Sequence, residues 1–319
     1  MKQVAILHQG LEGGNPSLIK HSCYLRDSLV EAVRDLGYNP QSVYLDDSFT
    51  WVSSLEQIRN LLVVVNAADY GPFFDSTLES VVPAILDKKG IRYTGSDMGA
   101  IDFTNDKLRT NYALSKAGVL VPKCFSIGDT NSFESLDFPL IIKYRSVHGS
   151  EGIDDSSVVM NERELKEKVD RLKQTRDSPI IAEQYIQGSG IYEVCGGFLG
   201  NGDDRLALPV ACVKFNSESS RIRTQDHKWS DEDPIEFVDL PESLEKEIHR
   251  YVSDAANAIG MRDYARIDFR IGVDGRAYAI DTNANPDLNE DATLYKMASK
   301  TGLSYPTFVG KIIDSALRR

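Results

Sequence analysis

The sequence predicts an α/β protein whose C-terminal part becomes α+β. Three observations carry this. The first hundred residues alternate short apolar runs with amphipathic helical stretches. The middle of the chain carries a charged helix between strands. From Glu193 onward strand patterns dominate, ending in a hairpin and then helices from about Asp291 to the C-terminus.

The elements follow in order. Val4 to His8 is an apolar strand and Gln9 to Ser17 a Gly-rich turn. Leu18 to Leu36 is helical by the spacing of Ile19, Cys23, Leu25, Leu29, Val33 and Leu36, and Gly37 stops it. Ser42–Leu45, the fully apolar Leu61–Val65 and Ile91–Thr94 are expected strands, with a helix over Ser76–Lys88. Strands apolar on both faces belong in a parallel sheet covered by helices, so this region is expected to be a doubly wound open sheet. Thr104–Ala117 is an expected helix, ended by Gly118 and Pro122. Pro139–Tyr144 is a strand running into the loop His148-Gly149-Ser150-Glu151-Gly152, and Asn161 is the expected cap of a helix to Thr175. Ile180–Ile186, Glu193–Leu199 and Leu206–Phe215 are further strands. Residues 216–235 are polar and irregular, long for a connection in a compact domain. Pro241–Ile259 is an amphipathic helix. Tyr264–Val273 and Arg276–Asp281 form a hairpin across Asp274-Gly275. The expected units are 1–97, 98–181 and 182–319.

Bulk properties exclude several classes. A formal net charge of −12 opposes a nucleic-acid surface, which needs clustered Lys and Arg. No apolar stretch approaches the roughly 18 residues that span a bilayer. Met1 to Leu7 starts a strand directly, so no secretory leader is expected. The four cysteines are far apart, without CxxC spacing, and are expected as free thiols in a cytoplasmic protein. The five histidines show no HExxH spacing and the Walker A pattern is absent, so neither a zinc site nor a P-loop is expected.

The hairpin carries the strongest chemical signal. Asp268 lies on its first strand; Asp281 and Asn283 lie two apart at the end of its second and share a face if the strand continues. Two carboxylates and an amide oxygen make a hard, all-oxygen set suited to Mg²⁺. Solvated turn aspartates are the bland alternative, although the turn itself is Asp274-Gly275. Arg266, two before Asp268, projects the same way and suits a phosphate or a developing oxyanion, a plain Asp–Arg ion pair being the alternative. Lys143 ends an apolar strand before the Gly149-Ser150 loop, a combination that can cradle phosphates. Lys107 reads equally well as a surface lysine. Arg221, Arg223, His227, Lys228 and Trp229 form a basic cluster in the polar segment, suggestive of a lid or simply a solvated loop.

Taken in order, Lys107, Lys143 with its Gly-Ser loop, Glu183-Gln184-Tyr185-Ile186, Arg266-Ile267-Asp268 and Asp281-Thr282-Asn283 resemble the ATP-grasp superfamily. The branch they look most like is that of the D-alanine–D-alanine ligases. Asp281-Thr-Asn-Ala-Asn-Pro-Asp-Leu, Thr301-Gly-Leu-Ser-Tyr and Tyr93-Thr94-Gly95-Ser96 also match that branch, so the likeness covers essentially the whole chain. It implies an ATP-grasp fold: the N-terminal open sheet plus two α+β subdomains gripping ATP. Lys107 and Lys143 would contact ATP phosphates. Gly149 and Ser150 would cover the γ-phosphate. Glu183, with the backbone of Tyr185 and Ile186, would read adenine, and Glu193 would hold the ribose. Lys228 would be a lid lysine on the γ-phosphate, and Arg266 would stabilise the tetrahedral intermediate. Asp268, Asp281 and Asn283 would hold two Mg²⁺ ions, with Mn²⁺ an admissible substitute. Glu12 is the one candidate for the first-loop glutamate that binds a substrate ammonium.

The chain departs from this pattern at three places. The family usually has Glu where Asp281 stands. Asn66-Ala67-Ala68-Asp69-Tyr70-Gly71 lacks the family's acidic pair. Asp287-Leu288-Asn289-Glu290-Asp291 replaces a small-residue stretch with acids that would repel a substrate carboxylate. The resemblance thus implies a carboxylate–amine ligase, ADP-forming through an acylphosphate, acting on small-molecule carboxylate and amine substrates, and suggests a homodimer. A non-catalytic nucleotide sensor and a strict D-alanine–D-alanine ligase stay open as alternatives.

Overall fold

The computed structural model describes residues 2–9, 16–68, 71–72, 75–128, 137–146, 152–213, 222 and 235–319. The first unit alternates β1 (Gln3–Gln9), α1 (Pro16–Asp35), β2 (Asn39–Leu45), α2 (Thr50–Gln57), β3 (Leu61–Ala67) and α3 (Val81–Lys88). Its sheet is parallel in the order β2-β1-β3. Val4, Ile6, Val63 and Val65 pack on one face with Leu25, Leu29 and Val33 of α1. Ala5, Leu7 and Val64 pack on the other with Trp51 and Leu55 of α2 and Val82 and Leu86 of α3. This two-sided burial is why β3 reads as a continuous apolar run.

Two expected elements differ here. The run Ile91–Thr94 is not a fourth strand but a single bridge, Val64 to Tyr93. Gly90 and Gly95, both at positive φ, turn the chain on either side and leave room for little more. The helix expected over Ser76–Lys88 breaks into a 3-10 turn, Ser76–Leu78, and α3. Pro83 has no N–H to give to the carbonyl four residues back, so it is confined to the first turn of a new helix. α2 went unread in the sequence; Asp46 gathers the backbone N–H groups of Thr50 and Trp51, both at 2.9 Å, and starts it.

The expected helix Thr104–Ala117 is likewise two, α4 (Met98–Asn105) and α5 (Lys107–Lys116). Asp106 between them is extended and caps α5 by accepting from Arg109 N at 3.1 Å. Its carboxylate also takes a two-pronged bond from Arg145, at 2.8 and 2.6 Å.

A second, antiparallel sheet has the order β4 (Cys124–Ser126), β7 (Ile180–Gln184), β5 (Leu140–Tyr144), β6 (Val158–Val159). Helix α6 (Glu162–Thr175) backs it, capped by Asn161 as the sequence suggests. A third sheet runs β11 (Ile235–Glu236), β10 (Ala211–Val213), β8 (Gly188–Leu199), β12 (Tyr264–Gly272), β13 (Ala277–Asn283), with β9 (Leu206–Ala207) on β8. One face of this sheet packs on α7 (Glu242–Ile259) through Phe198, Ile267 and Phe269 against Tyr251, Val252 and Ala255. The approach is close: a Cβ on Gly196 would lie 2.8 Å from methyls of Ile248 and Val252. Helices α8 (Thr293–Ser299) and α9 (Tyr305–Leu317) close the chain, and α9 returns to α1 through Phe308, Ile312 and Ile313.

All four cysteines are free thiols. Among the described residues no helix is long and apolar enough to cross a membrane. Of the polar segment 216–235, only Ile222 and Ile235 are described, so the lid reading of that segment lies outside the described residues.

Candidate functional site

The site begins with an irregularity in the β12–β13 ladder. Arg266 opposes Asn283 and Asp268 opposes Asp281, but the next pair is Phe269 with Ala279. Ile280 is therefore the extra residue of a β-bulge. Residues directly opposed in an antiparallel pair share a side of the sheet. The bulge thus delivers Asp281 and Asn283 to the side of Arg266 and Asp268. Without it Asp268 would face Ile280, and Asp281 would point with Ile267 into the core against α7. β8 completes the floor, with Gly197 opposite Arg266, Cys195 opposite Asp268 and Glu193 opposite Arg270.

Arg266 holds Asp268 in a fork, Nε to Oδ1 at 2.8 Å and Nη2 to Oδ2 at 3.0 Å. Burial works against the guanidinium charge, yet the Asp268 carboxylate outweighs it and holds Arg266 protonated beyond its ordinary range. The contact is the Asp–Arg ion pair that stood as the alternative for Arg266. Asn283 Oδ1 accepts from the backbone N of Asn285 at 3.0 Å, which fixes the amide's orientation. Among the described residues no group of three or more His, Cys, Asp or Glu is placed to hold a metal. The three expected ligands do gather on one face, as two carboxylates and an amide oxygen. That set fits a hard cation that keeps several waters or phosphate oxygens of its own. Asp268 would have to share its carboxylate between the cation and Arg266.

The second sheet brings its own charges to the same place. Lys143 on β5 and Glu183 on β7 are on one side of their sheet and pair at 3.2 Å, both buried. Lys143 Nζ also donates to the Ile280 carbonyl at 3.3 Å. The bulge that aims Asp281 therefore also supplies an acceptor for the lysine. Burial disfavours the Lys143 ammonium, but Glu183 and Asp281 more than offset this and keep it charged. Burial pushes the Glu183 carboxyl up, with Lys143 and Lys107 pulling the other way. Lys107 opens α5 and lines a pocket with Thr104, Asn111, Glu183, Ile280 and Asp281. Lys107 is half-buried, and its backbone N donates to the Arg145 carbonyl at 3.0 Å.

Tyr185, Ile186 and Glu193 lie along the chain from β7 into β8. Ile186 is buried, and Tyr185 N donates to the Pro139 carbonyl at 3.0 Å. Arg270, unread in the sequence, ties the other two together. Its Nη1 donates to Glu193 Oε1 at 3.1 Å, its Nη2 to the Tyr185 hydroxyl, and its guanidinium lies 4.4 Å from the Tyr185 ring centroid. Its signal was the continued alternation Arg266, Asp268, Arg270 on one strand face.

Glu12, Gly149, Ser150 and Lys228 lie outside the described residues. Gly152, the first described residue after them, has φ +75, a Cβ there would lie 2.8 Å from the Tyr144 ring, and its carbonyl accepts from Lys168 at 2.9 Å.

The acidic run after Pro286 is less uniform than its sequence. Asp287 pairs with His21 of α1 at 3.1 Å and accepts from Asn289 N and Nδ2, both at 3.0 Å. Asn289 is fully buried, whereas Glu290 and Asp291 are exposed. Between this run and Asn283, Asn285 donates to Glu79 Oε1 at 2.8 Å and accepts from the Tyr264 hydroxyl at 2.9 Å. His21, Glu79, Asn285 and Asn289 gave no local signal in the sequence.

Comparison with known proteins matches residues 127–314 to the family model described as D-ala D-ala ligase C-terminus. A D-alanine–D-alanine ligase of Cupriavidus metallidurans is 27% identical over 243 residues, 75% of this chain and 72% of that protein. D-alanine–D-alanine ligase A of Bacillus cereus is 25% identical over 246 residues, 75% and 77% of the two chains. Among solved structures, a Bacillus anthracis D-alanine–D-alanine ligase complexed with ATP superposes with a TM-score of 0.79 at 20% identity, covering 100% of this chain and 98% of that one. The VanG D-Ala:D-Ser ligase of Enterococcus faecalis gives 0.77 at 19% identity, covering 99% of each. At such identities the structural likeness establishes the fold.

Proposed function

The chain belongs to the D-alanine–D-alanine ligase C-terminal family, and from that premise we propose that it is an ATP-dependent carboxylate–amine ligase, ADP-forming, acting on small-molecule substrates. One observation carries the reading. The Ile280 bulge gathers Arg266, Asp268, Asp281 and Asn283 on one face and offers its carbonyl to the buried ammonium of Lys143. A site of this kind places fixed positive charge beside a hard-cation set, which is what phosphoryl transfer to a carboxylate requires.

In this reading Lys107 and Lys143 balance ATP phosphate charge, with Gly149, Ser150 and Lys228 closing over the γ-phosphate. Glu183 and the backbone of Tyr185 and Ile186 bind adenine. Glu193 binds ribose, its carboxylate held ready by Arg270. Asp268, Asp281 and Asn283 hold Mg²⁺, which when bound offsets phosphate charge; two ions are proposed, with Mn²⁺ able to replace them. A substrate carboxylate oxygen bonds to the γ-phosphorus as ADP leaves. The amine nitrogen then bonds to the acyl carbon, phosphate leaves, and the nitrogen gives up a proton. Arg266 faces the oxyanion of that second step, and Glu12 is proposed to meet the ammonium of an amino-acid substrate.

A strict D-alanine–D-alanine ligase is the second reading. The names of the relatives favour it. Cytoplasmic location and a homodimer belong to the same proposal. So do three units, expected as 1–97, 98–181 and 182–319, with the second boundary moved here from 181 to 184. The second boundary is placed after Gln184, because β7 pairs with β5 along its whole length.

The test is ADP release that depends on both a carboxylate and an amine. Asp281→Asn keeps the shape of the site and removes a charge, and is expected to abolish coupled turnover while ATP binding persists. Turnover near the wild-type rate would remove the metal assignment. ATP binding without turnover across a wide substrate panel would favour a nucleotide sensor instead.

A further inference from the structure

In the parallel sheet β2-β1-β3, α1 covers one face and α2 with α3 the other. The connections leave β1 and β3 toward opposite faces, so the carboxyl ends of these two strands flank a topological switch point. Open α/β sheets bind ligands in the crevice at such a point. Two side chains stand there. Gln9 ends β1, and Asn66 is next to last on β3, two register positions away, since Leu7 opposes Asn66. Both share a face by alternation, Gln9 with Ala5 and Leu7, Asn66 with Val64 and Ala68.

Each amide is bonded at one end and unpartnered at the other. Gln9 Nε2 donates to the Gly71 carbonyl at 2.7 Å, and Gln9 Oε1 is buried with no partner. Asn66 Oδ1 accepts from Ala68 N at 3.4 Å, and Asn66 Nδ2 is buried with no partner. The bonded ends settle which end is which: flipping either amide would set oxygen against oxygen or N–H against N–H. The residues are 3% and 1% exposed, so the open ends are not served by bulk water. Buried polar atoms left unpaired in this way are uncommon and call for an explanation.

We propose that this switch point is a substrate-recognition site and that Gln9 and Asn66 select a small substrate bearing a neutral group that both donates and accepts, a hydroxyl or a primary carboxamide. The group would donate to Gln9 Oε1 and accept from Asn66 Nδ2, one bond to each open end. The inference rests on the ligase reading and narrows it to a substrate class.

His8, next to Gln9 in sequence, projects to the opposite face of the sheet, its nitrogens engaged by the Gln9 carbonyl at 3.0 Å and Ser42 Oγ at 2.8 Å. Glu79 is the described carboxylate nearby, and its Oε1 is taken by Asn285 Nδ2. A physical route joins this crevice to the hairpin. The Asn66 carbonyl lies 3.5 Å from the Tyr264 hydroxyl, which donates to Asn285, whose backbone N orients Asn283.

The test is calorimetric titration of the full chain, with Mg²⁺ and a non-hydrolysable ATP analogue, against both enantiomers of alanine, serine and asparagine. Serine or asparagine is expected to bind about tenfold or more tightly than alanine, because a site built for a polar group is left unpaired by the analogue that lacks it. Gln9→Glu should erase that preference and favour 2,3-diaminopropionate, whose side chain is cationic, while the ATP analogue still binds. Equal binding of alanine, or no binding by any of the six, overturns the proposal. So does a Gln9→Glu variant that loses thermal stability but keeps the wild-type ranking, which would make the two amides a structural pair. Selective binding without ADP release would instead count against the ligase reading and leave the recognition site standing.

Discussion

Replacing Lys143 by Met separates what the buried pair does for the fold from what it does for nucleotide. Lys143 and Glu183 meet at 3.2 Å with side chains 7% and 6% exposed. Removing one partner of such a pair strands the other in a poorly solvating environment, at a cost of about 3–5 kcal/mol. The lower end of that range is expected, because Lys107 also acts on Glu183 and leaves it partly compensated. Adding Glu183→Gln to Lys143→Met removes the stranded charge and should restore most of the loss, since a neutral amide needs only hydrogen bonds. Nucleotide affinity should fall in both variants and not recover. The stranded carboxyl also predicts a pH dependence. Burial already pushes Glu183 up, and without Lys143 it rises further, so folded protein binds a proton that unfolded protein has released. The deficit is present in full above the folded-state pKa and disappears as pH falls toward the ordinary glutamate value. Urea unfolding of wild type, single and double variants at pH 7 and pH 5 measures all of this, with ATP-analogue titration beside it. If Lys143→Met is as stable as wild type, or if the second substitution restores no stability, the reading of Lys143 and Glu183 as a mutually dependent buried pair is wrong.

Two further outcomes are expected. Deleting Ile280 should restore the regular ladder with Asp281 still opposite Asp268 and Asn283 still opposite Arg266, so the carboxylate–amide set keeps its face while Lys143 loses the Ile280 carbonyl; ATP-analogue affinity is expected to fall, and a variant that binds the analogue as tightly as wild type would show that the bulge carbonyl does not position Lys143. His8 stays neutral in the folded protein down to about pH 4 but protonates near its ordinary value when unfolded, so stability should fall as pH drops from 6.5 toward 4, by about 3 kcal/mol at the lower limit. Gln at position 8 should flatten that slope, and an unchanged slope by chemical denaturation would remove His8 as its source.

What the sequence disclosed follows the range of the interactions involved. The hairpin was legible because its turn is local: Asp274-Gly275 with alternating strands on either side. The pairing of Arg266 with Asp268 was legible from spacing alone. The Ile280 bulge was not, because an extra residue in a strand has no compositional mark when both faces are partly buried. The break at Asp106 was hidden for a related reason. A helical run and its interruption share the same apolar spacing, and the deciding partner, Arg145, is 39 residues away. The strand expected at Ile91–Thr94 shows the opposite error, local propensity confined by a positive-φ glycine at each end.

The residues that gave no signal join distant segments. Glu79 meets Asn285 across 206 positions, and Asn289 meets His21 across 268. Both contacts bind the first unit to the loop that follows Asn283, so the hairpin is held from two sides. The second sheet reaches it through Lys143 and the Ile280 carbonyl; the first reaches it through Glu79 and Asn285, whose backbone N fixes Asn283. A substrate that bound at the end of β1 and β3 would therefore act on Asn283 through three consecutive contacts, Asn66 to Tyr264 to Asn285, and a cation held by Asn283 would act back through the same three. Tyr264→Phe breaks that route at its middle while leaving Gln9, Asn66 and the hairpin in place. It is expected to leave the affinity for each ligand alone close to wild type and to abolish the tightening of one by the other. If the two ligands still reinforce each other fully in Tyr264→Phe, the coupling travels elsewhere, and Tyr264 only fills the core in which it is buried.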